Sequence, residues 1–456
     1  MTREGQGQLL SILGLGFGLA GAVGGTIGAG ILRTPGLVAA QLGSPGLILV
    51  AWGVGGLYAL LGAVGVAELA ASLPQAGGWW VYAERAFGRR VGLMVGWTDW
   101  LAHAIGLAWV ATTAGDYAQA LLPAEPGPWL SRGIALAAIG LFGLIQWRGV
   151  RAGSASQELL SLAKAVAFLA LVVACFALPL PGAGAGAGAM ETAIETAFET
   201  AIETAEAQGP TAAGVVLALQ AVITTYDGWA SPVYFAEEFE QPGRDLPRSL
   251  IGGVLAVLVL YLLINLALLH VLPTTALAAS TLPAADAART LVGAAGAHAI
   301  TAVALLALLG LINTVVMAAP RILFGLARRG LFPAWAAGVN AGGTPAPALL
   351  LTTAAAAVLV LTGNFERLLA MGAVLYVALP LAGMASLLAL RQQEPDLPRP
   401  FRCWGYPLTP VLIAAGSLTF LVAGATAAPS SSLAAAGLVA VAYPASLLAE
   451  RQGWLQ

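Results

Sequence analysis

An apolar run from Leu9 to Leu42 is long enough to cross a bilayer, yet its middle reads Gly24-Gly25-Thr26-Ile27-Gly28-Ala29-Gly30-Ile31. Four glycines in seven positions disfavour helix, because glycine forfeits the most backbone entropy and leaves main-chain groups uncovered. In hydrocarbon an unpaired N–H or C=O costs several kcal/mol, so a break at this depth requires a cavity or a cover of protein. The N–H groups that open the second half-helix suit an anion such as a carboxylate, and the carbonyls that end the first suit a cation or an ammonium. The spacing Gly25-x-x-Gly28-x-Gly30 superficially matches a dinucleotide loop, but no strand precedes it. A glycine face that merely lets helices pack closely is the bland alternative.

The rest of the chain is built to match. Of its 456 residues 59% are hydrophobic and 9% charged, against about 25% charged in soluble domains, which makes it an all-α polytopic membrane protein. The sequence predicts spans at 9–42 (broken), 46–73, 91–120, 129–147, 158–178, 212–240 (broken), 246–272, 287–328, 348–362, 367–390, 407–428 and 433–450, each near the roughly 20 residues a bilayer needs. Twelve transmembrane helices put both termini on one side. The arginines gather in the loops of that side and leave Arg33, Arg132, Arg289 and Arg367 on the other, so the positive-inside bias places both termini in the cytoplasm of a cell-membrane protein. The first run is too long for a cleavable signal and has no small-residue cleavage site, so it is expected to stay.

Several classes fall away. A net charge of -2 leaves no basic footprint for nucleic acid. His103, His270 and His298 are the only histidines and lack metal-ligand spacing; no Gly-x-Ser-x-Gly occurs, so neither an enzyme site, a metal nor a cofactor is expected. Cys175 lies in an apolar span and Cys403 in a polar loop, a poor basis for a structural disulfide. Residues 182–209 alternate Gly and Ala and then place Glu191, Glu195, Glu199 and Glu203 four apart; this reads as a low-complexity outer insertion, either an interfacial helix or disordered.

The sixth span repeats the interruption: 218–225 is helix-like, Tyr226-Asp227-Gly228-Trp229 breaks it, and Pro232 follows. Broken helices five spans apart are the signature of an inverted repeat with a midplane binding site.

At this point the sequence resembles the amino acid-polyamine-organocation superfamily, and within it the L-type amino acid transporters. The resemblance rests on Thr26-Ile27-Gly28-Ala29-Gly30-Ile31, Ala67-Glu68-Leu69, Pro74-Gln75-Ala76-Gly77-Gly78, Tyr82 through Phe87-Gly88, Tyr226-Asp227-Gly228-Trp229 and the Glu237-Glu238 pair. It continues in Pro242 through Arg248, Pro320-Arg321, Ala327 through Pro333 and Pro395 through Pro400. It implies the leucine-transporter fold: a first five-helix repeat in 1–180, the outer loop at 181–211, an inverted repeat in 212–392, and two further helices with a short tail in 393–456. It also implies that Gly28, Ala29 and Gly30 hold a substrate carboxylate through main-chain N–H groups. The carbonyls of Thr26 and Ile27, with those around Thr225 and Tyr226, would hold the ammonium. Two departures stand out. Ala29 replaces a serine common in relatives, and Thr224 replaces an aromatic that closes the pocket in the L-type branch, leaving a looser outer gate or a cover by Tyr226 or Trp229. The loop from Tyr117 to Arg132 has no cysteine, so the disulfide-linked heavy chain of animal relatives is not expected.

Lys164 is the only lysine. An ionisable residue inside a span is a functional candidate by default. Placed one or two turns from the cytoplasmic end, it reads as a proton-coupling site, as a fixed charge tether, or as a side chain snorkelling to the interface; relatives with a lysine there use it in place of a sodium ion. Asp227 is expected to cap the half-helix after the second break or to neutralise a cationic substrate. Asp99 and His103 share a face, as a packing pair or a proton relay. Arg33 either draws anionic substrates or reaches the outer interface. Glu237, Glu238 and Arg321, with Arg328 and Arg329, are gating candidates or a solvated face. The reading that absorbs most of these features is a carrier of neutral L-amino acids in a lipid bilayer, working by alternating access as exchanger or proton symporter. A sensor that binds without transport, and a carrier of cationic amino acids or polyamines, are the alternatives.

Overall fold

The computed structural model describes residues 8–122, 127–179, 210–362, 365–427 and 429–451; the insertion at 182–209 lies outside them. The first apolar run divides where the glycines fall, into α1 (Leu15–Thr26) and α2 (Gly30–Leu42), inclined by 47°. Then come α3 (Pro45–Ser72), α4 (Trp79–Phe87), α5 (Arg89–Ala120), α6 (Pro128–Trp147) and α7 (Val150–Ala177). The second half holds α8 (Ala212–Thr225), a 3-10 segment (Ser231–Glu238), α9 (Pro242–Val271), α10 (Thr274–Ala279), α11 (Pro283–Val292) and α12 (Ala294–Arg328), followed by α13 (Ala346–Thr362), α14 (Phe365–Gln393), α15 (Leu408–Ala427) and α16 (Pro429–Arg451). Among the described residues no strand forms. One isolated bridge joins Leu13 to Phe239, so the chain just before α1 lies against the end of the 3-10 segment.

Among the described residues seven helices are long and apolar enough to cross a membrane, eight if α1 and α2 count as one span, and three more apolar helices are shorter. The expected third span, α5, runs 32 residues but carries Asp99, His103, Thr112, Thr113 and Asp116, and its middle is enclosed by α12, α14 and α6 rather than by lipid.

Four expectations about element bounds are corrected. After the second break the chain forms only eight residues of 3-10 helix where a half-helix to residue 240 was expected; Pro232 near its start withholds one N–H donor. The span expected at 287–328 divides at Gly293, whose φ of 73° no α-helix accommodates. Helix α4, unforeseen in the sequence, follows Gly77 and Gly78, both at positive φ, a region glycine enters at little cost. Finally, α7 begins at Val150 rather than near residue 158.

Candidate functional site

The two breaks touch. A Cβ placed on Gly25 would stand 2.5 Å from the Gly228 oxygen, and one on Gly228 2.2 Å from the Gly25 oxygen. Glycine is required at both places for contact alone, and Gly228 also has a φ of 103°. Hydroxyls tie the same region together. Thr34 and Thr225 meet Oγ1 to Oγ1 at 2.8 Å, and Ser231 Oγ donates to the Gly228 oxygen at 2.7 Å.

Helix α2 opens at Gly30, so its first N–H groups have no partner within the helix. Gly28 and Ala29 are partly exposed and Gly30 is exposed. On the other side of the gap, the Tyr261 hydroxyl lies 3.1 Å from the Thr26 oxygen and 3.3 Å from the Thr225 oxygen. One hydroxyl proton thus serves the final carbonyls of both α1 and α8, each of which keeps a second lone pair. Tyr261 was missed in the sequence because a tyrosine inside an apolar span reads as packing. Only its position opposite both breaks reveals the role.

Lys164 is wholly buried. Its Nζ donates to the oxygens of Gly24 at 2.7 Å, Ile27 at 3.1 Å and Ala307 at 3.4 Å. It does not snorkel. It stands fourteen residues into α7, about 21 Å along at 1.5 Å per residue, which corrects its placement one or two turns from an end. The polar start of α7 is helical because it has partners: Ser161 and Gln157 donate to the Ala20 oxygen, and Asn313 joins Gln157 to Gln146. Gly310 leaves the ammonium its room, since a Cβ there would lie 2.8 Å from Nζ.

The remaining candidates divide. Thr224 is exposed. Tyr226 is buried with its hydroxyl donating to the Trp52 oxygen at 3.1 Å, and Trp229 packs edge-on against Trp79; both side chains belong to the bundle. The residue at the N-cap of the 3-10 segment is Ala230, which has no capping side chain; the Asp227 carboxyl, expected to cap, accepts instead from the adjacent Gly228 N–H, three residues before that position. The Asp227 residue itself is exposed. Arg33 is exposed and near Tyr117.

Around the 3-10 segment, Glu238 and Arg321 are both fully buried and paired through Nε–Oε1 at 3.0 Å and Nη2–Oε2 at 3.2 Å. Arg321 also donates to the Met317 oxygen and lies 5.2 Å from the Phe235 ring centre. Glu237 pairs with Arg328 at 2.5 Å and accepts from the Ala76 N–H. Arg329 joins Glu84 of α4 instead. Exposed pairs contribute about 0–1 kcal/mol, whereas removing one partner of the buried pair costs about 3–5 kcal/mol.

Apolar helices gathered round two interrupted segments, with polar backbone opening inward and a buried ammonium behind it, define a multi-pass membrane protein with a polar centre. The chain belongs to the amino acid permease family, whose model matches residues 8–444. It is similar to the serine/threonine exchanger SteT of Bacillus subtilis (strain 168), at 27% identity over 91% of this chain and 90% of that one. It is also similar to the human large neutral amino acids transporter small subunit 2, at 28% identity over 83% and 70%, and to the mouse Asc-type amino acid transporter 1, at 27% over 83% and 70%.

Proposed function

We propose that the protein is a secondary active transporter that exchanges neutral L-amino acids across the cytoplasmic membrane by alternating access. The N–H groups of Gly28, Ala29 and Gly30 hold the substrate carboxylate. Carbonyls of Thr26, Ile27, Thr225 and Tyr226 take the ammonium, sharing their lone pairs with Tyr261 and Lys164. Thr224, Asp227, Gly228 and the main chain of Trp229 contribute the surrounding wall, and Glu237, Glu238 and Arg321 latch the gate below it. The names of the relatives favour neutral substrates.

The architecture we infer is the leucine-transporter fold of twelve spans: the eight long ones, the three shorter apolar helices and α5. Residues 1–180 and 212–392 form the two inverted repeats, 181–211 the outer loop and 393–456 the last two helices, with both termini cytoplasmic. The carrier works without a disulfide-linked partner, since the 117–132 loop offers no cysteine.

The observation that carries exchange rather than symport is the set of acceptors round Lys164. An ammonium has three N–H donors, and three carbonyls meet it; a neutral amine would turn a lone pair toward one of them. On this reading Lys164 is a fixed charge that ties α7 to α1 and α12. The test is uptake of radiolabelled serine and leucine into proteoliposomes, comparing vesicles loaded with amino acid against empty vesicles under an inward proton gradient. Uptake confined to loaded vesicles, and mostly lost in Lys164→Ala, is expected. Gradient-driven uptake into empty vesicles that the mutation abolishes would replace exchange by proton symport. No uptake in either case would refute the carrier.

A further inference from the structure

Asp99 and His103 lie one turn apart on α5, with 0% and 6% of their surface exposed. His103 Nδ1 stands 2.9 Å from the Asp99 main-chain oxygen and 3.1 Å from its Oδ1. Both neighbours are acceptors, so Nδ1 carries a hydrogen. Tyr234, from the 3-10 segment, donates to the same Oδ1 at 3.0 Å, and its ring meets the imidazole edge-on at 4.9 Å. Asp99 Oδ2 has no hydrogen-bond partner among the described residues. A buried carboxylate with two donors, both on one oxygen, is short of compensation unless a full positive charge stands beside it. Two further titratable groups face the imidazole: Tyr376 of α14, with ring centres 5.5 Å apart, and Asp227 at the second break, whose negative charge acts on it.

We propose that His103 and Asp99 form a proton-binding site, separate from Lys164, which acts through Tyr234 on the 3-10 segment and makes amino acid exchange depend on pH. The inference rests on the transporter reading. With the imidazole protonated, Asp99 stays ionised in a neutral pair and holds the Tyr234 hydroxyl firmly. When the proton leaves, the carboxylate loses its counter-charge, and α5 loosens its hold on the segment that bears Glu237 and Glu238. A packing pair of unchanging protonation would show the same distances and no response to pH.

Exchange by the full chain in amino acid-loaded proteoliposomes, at equal pH inside and out, is measured from about pH 5.5 to pH 8, the range over which imidazole titrates. The wild-type rate is expected to change about threefold or more across that range, as partial control by one titrating imidazole would give. His103→Asn keeps a donor near the Nδ1 position but cannot gain charge, and Asp99→Asn removes the anion; both profiles are expected to be flat. A His103→Asn profile that follows the wild type overturns the proposal, whereas absence of wild-type exchange at every pH refutes the transporter reading instead. Should the variants misfold, nitrogen-15 NMR of the one remaining imidazole in the His270→Gln/His298→Gln protein decides: titration within the same range upholds the site, and one protonation state throughout overturns it.

Discussion

Arg321 and Glu238 form the interaction whose removal should be felt most. Each side chain is fully buried, and the pair is joined by two charge-assisted bonds at 3.0 and 3.2 Å, each worth about 1.5–3 kcal/mol. Truncating Arg321 to methionine strands the Glu238 carboxylate among Phe235, Phe239 and α12, and removing one partner of a buried pair costs about 3–5 kcal/mol. Glu238→Leu strands the guanidinium and should cost about the same, since the Met317 oxygen and the Phe235 ring face are neutral partners. The double variant Arg321→Met/Glu238→Leu strands neither charge. Replacing a whole buried pair by apolar groups of similar size is often neutral or stabilising, so the double variant should lie within about 2 kcal/mol of wild type and show a coupling of at least about 3 kcal/mol. The assay is reversible unfolding in mixed micelles followed by tryptophan fluorescence. Single losses that simply add in the double variant would refute the reasoning, because they would mean the two side chains act through separate packing. If these residues also latch the gate, the double variant should be stable and yet exchange slowly.

Two other outcomes are expected. Gly310→Ala puts a Cβ about where the Lys164 ammonium needs to lie, 2.7 Å from Cε and 2.8 Å from Nζ; exchange should fall much as in Lys164→Ala, and wild-type exchange would show that the three carbonyl contacts are dispensable. In the loop before α15, burial and then the Glu68 charge push the Cys403 thiol up to about 11. Since the thiolate is the nucleophile, maleimide labelling of Cys403, read by peptide mass spectrometry, should be slow at pH 7 and rise steadily toward pH 10; a rate that levels off below pH 9 would contradict this.

The two breaks were legible because glycine, and the Asp-Gly pair within Tyr226 to Trp229, contradict the apolar helices around them. Local conflicts of that kind need no tertiary information. What sequence reasoning could not supply was partnership. Gln157 looks like the polar margin before a span that begins at 158, yet it lies inside one because the Ala20 oxygen and Asn313 answer it, and this is why the depth of Lys164 was misjudged. Asp227 looked like a cap, but the segment after it is too short and too proline-bound to need one. Tyr261 carried no signal at all, since its acceptors come from elements 235 and 36 residues away in the chain.

The contact between Lys164 and the first break also has a place in biogenesis. The Gly24 carbonyl and Lys164 are separated by 140 residues, which a ribosome takes roughly 7–28 s to make at about 5–20 residues per second. Through that interval α1 waits in the membrane with its terminal carbonyls unanswered by the lysine. When α7 emerges, a lysine near its middle opposes insertion by about 2.5–3.5 kcal/mol, and the waiting carbonyls of Gly24 and Ile27 are the first groups able to offset that cost. The helix that appears weakest on its own is thus the one that receives the chain's only lysine.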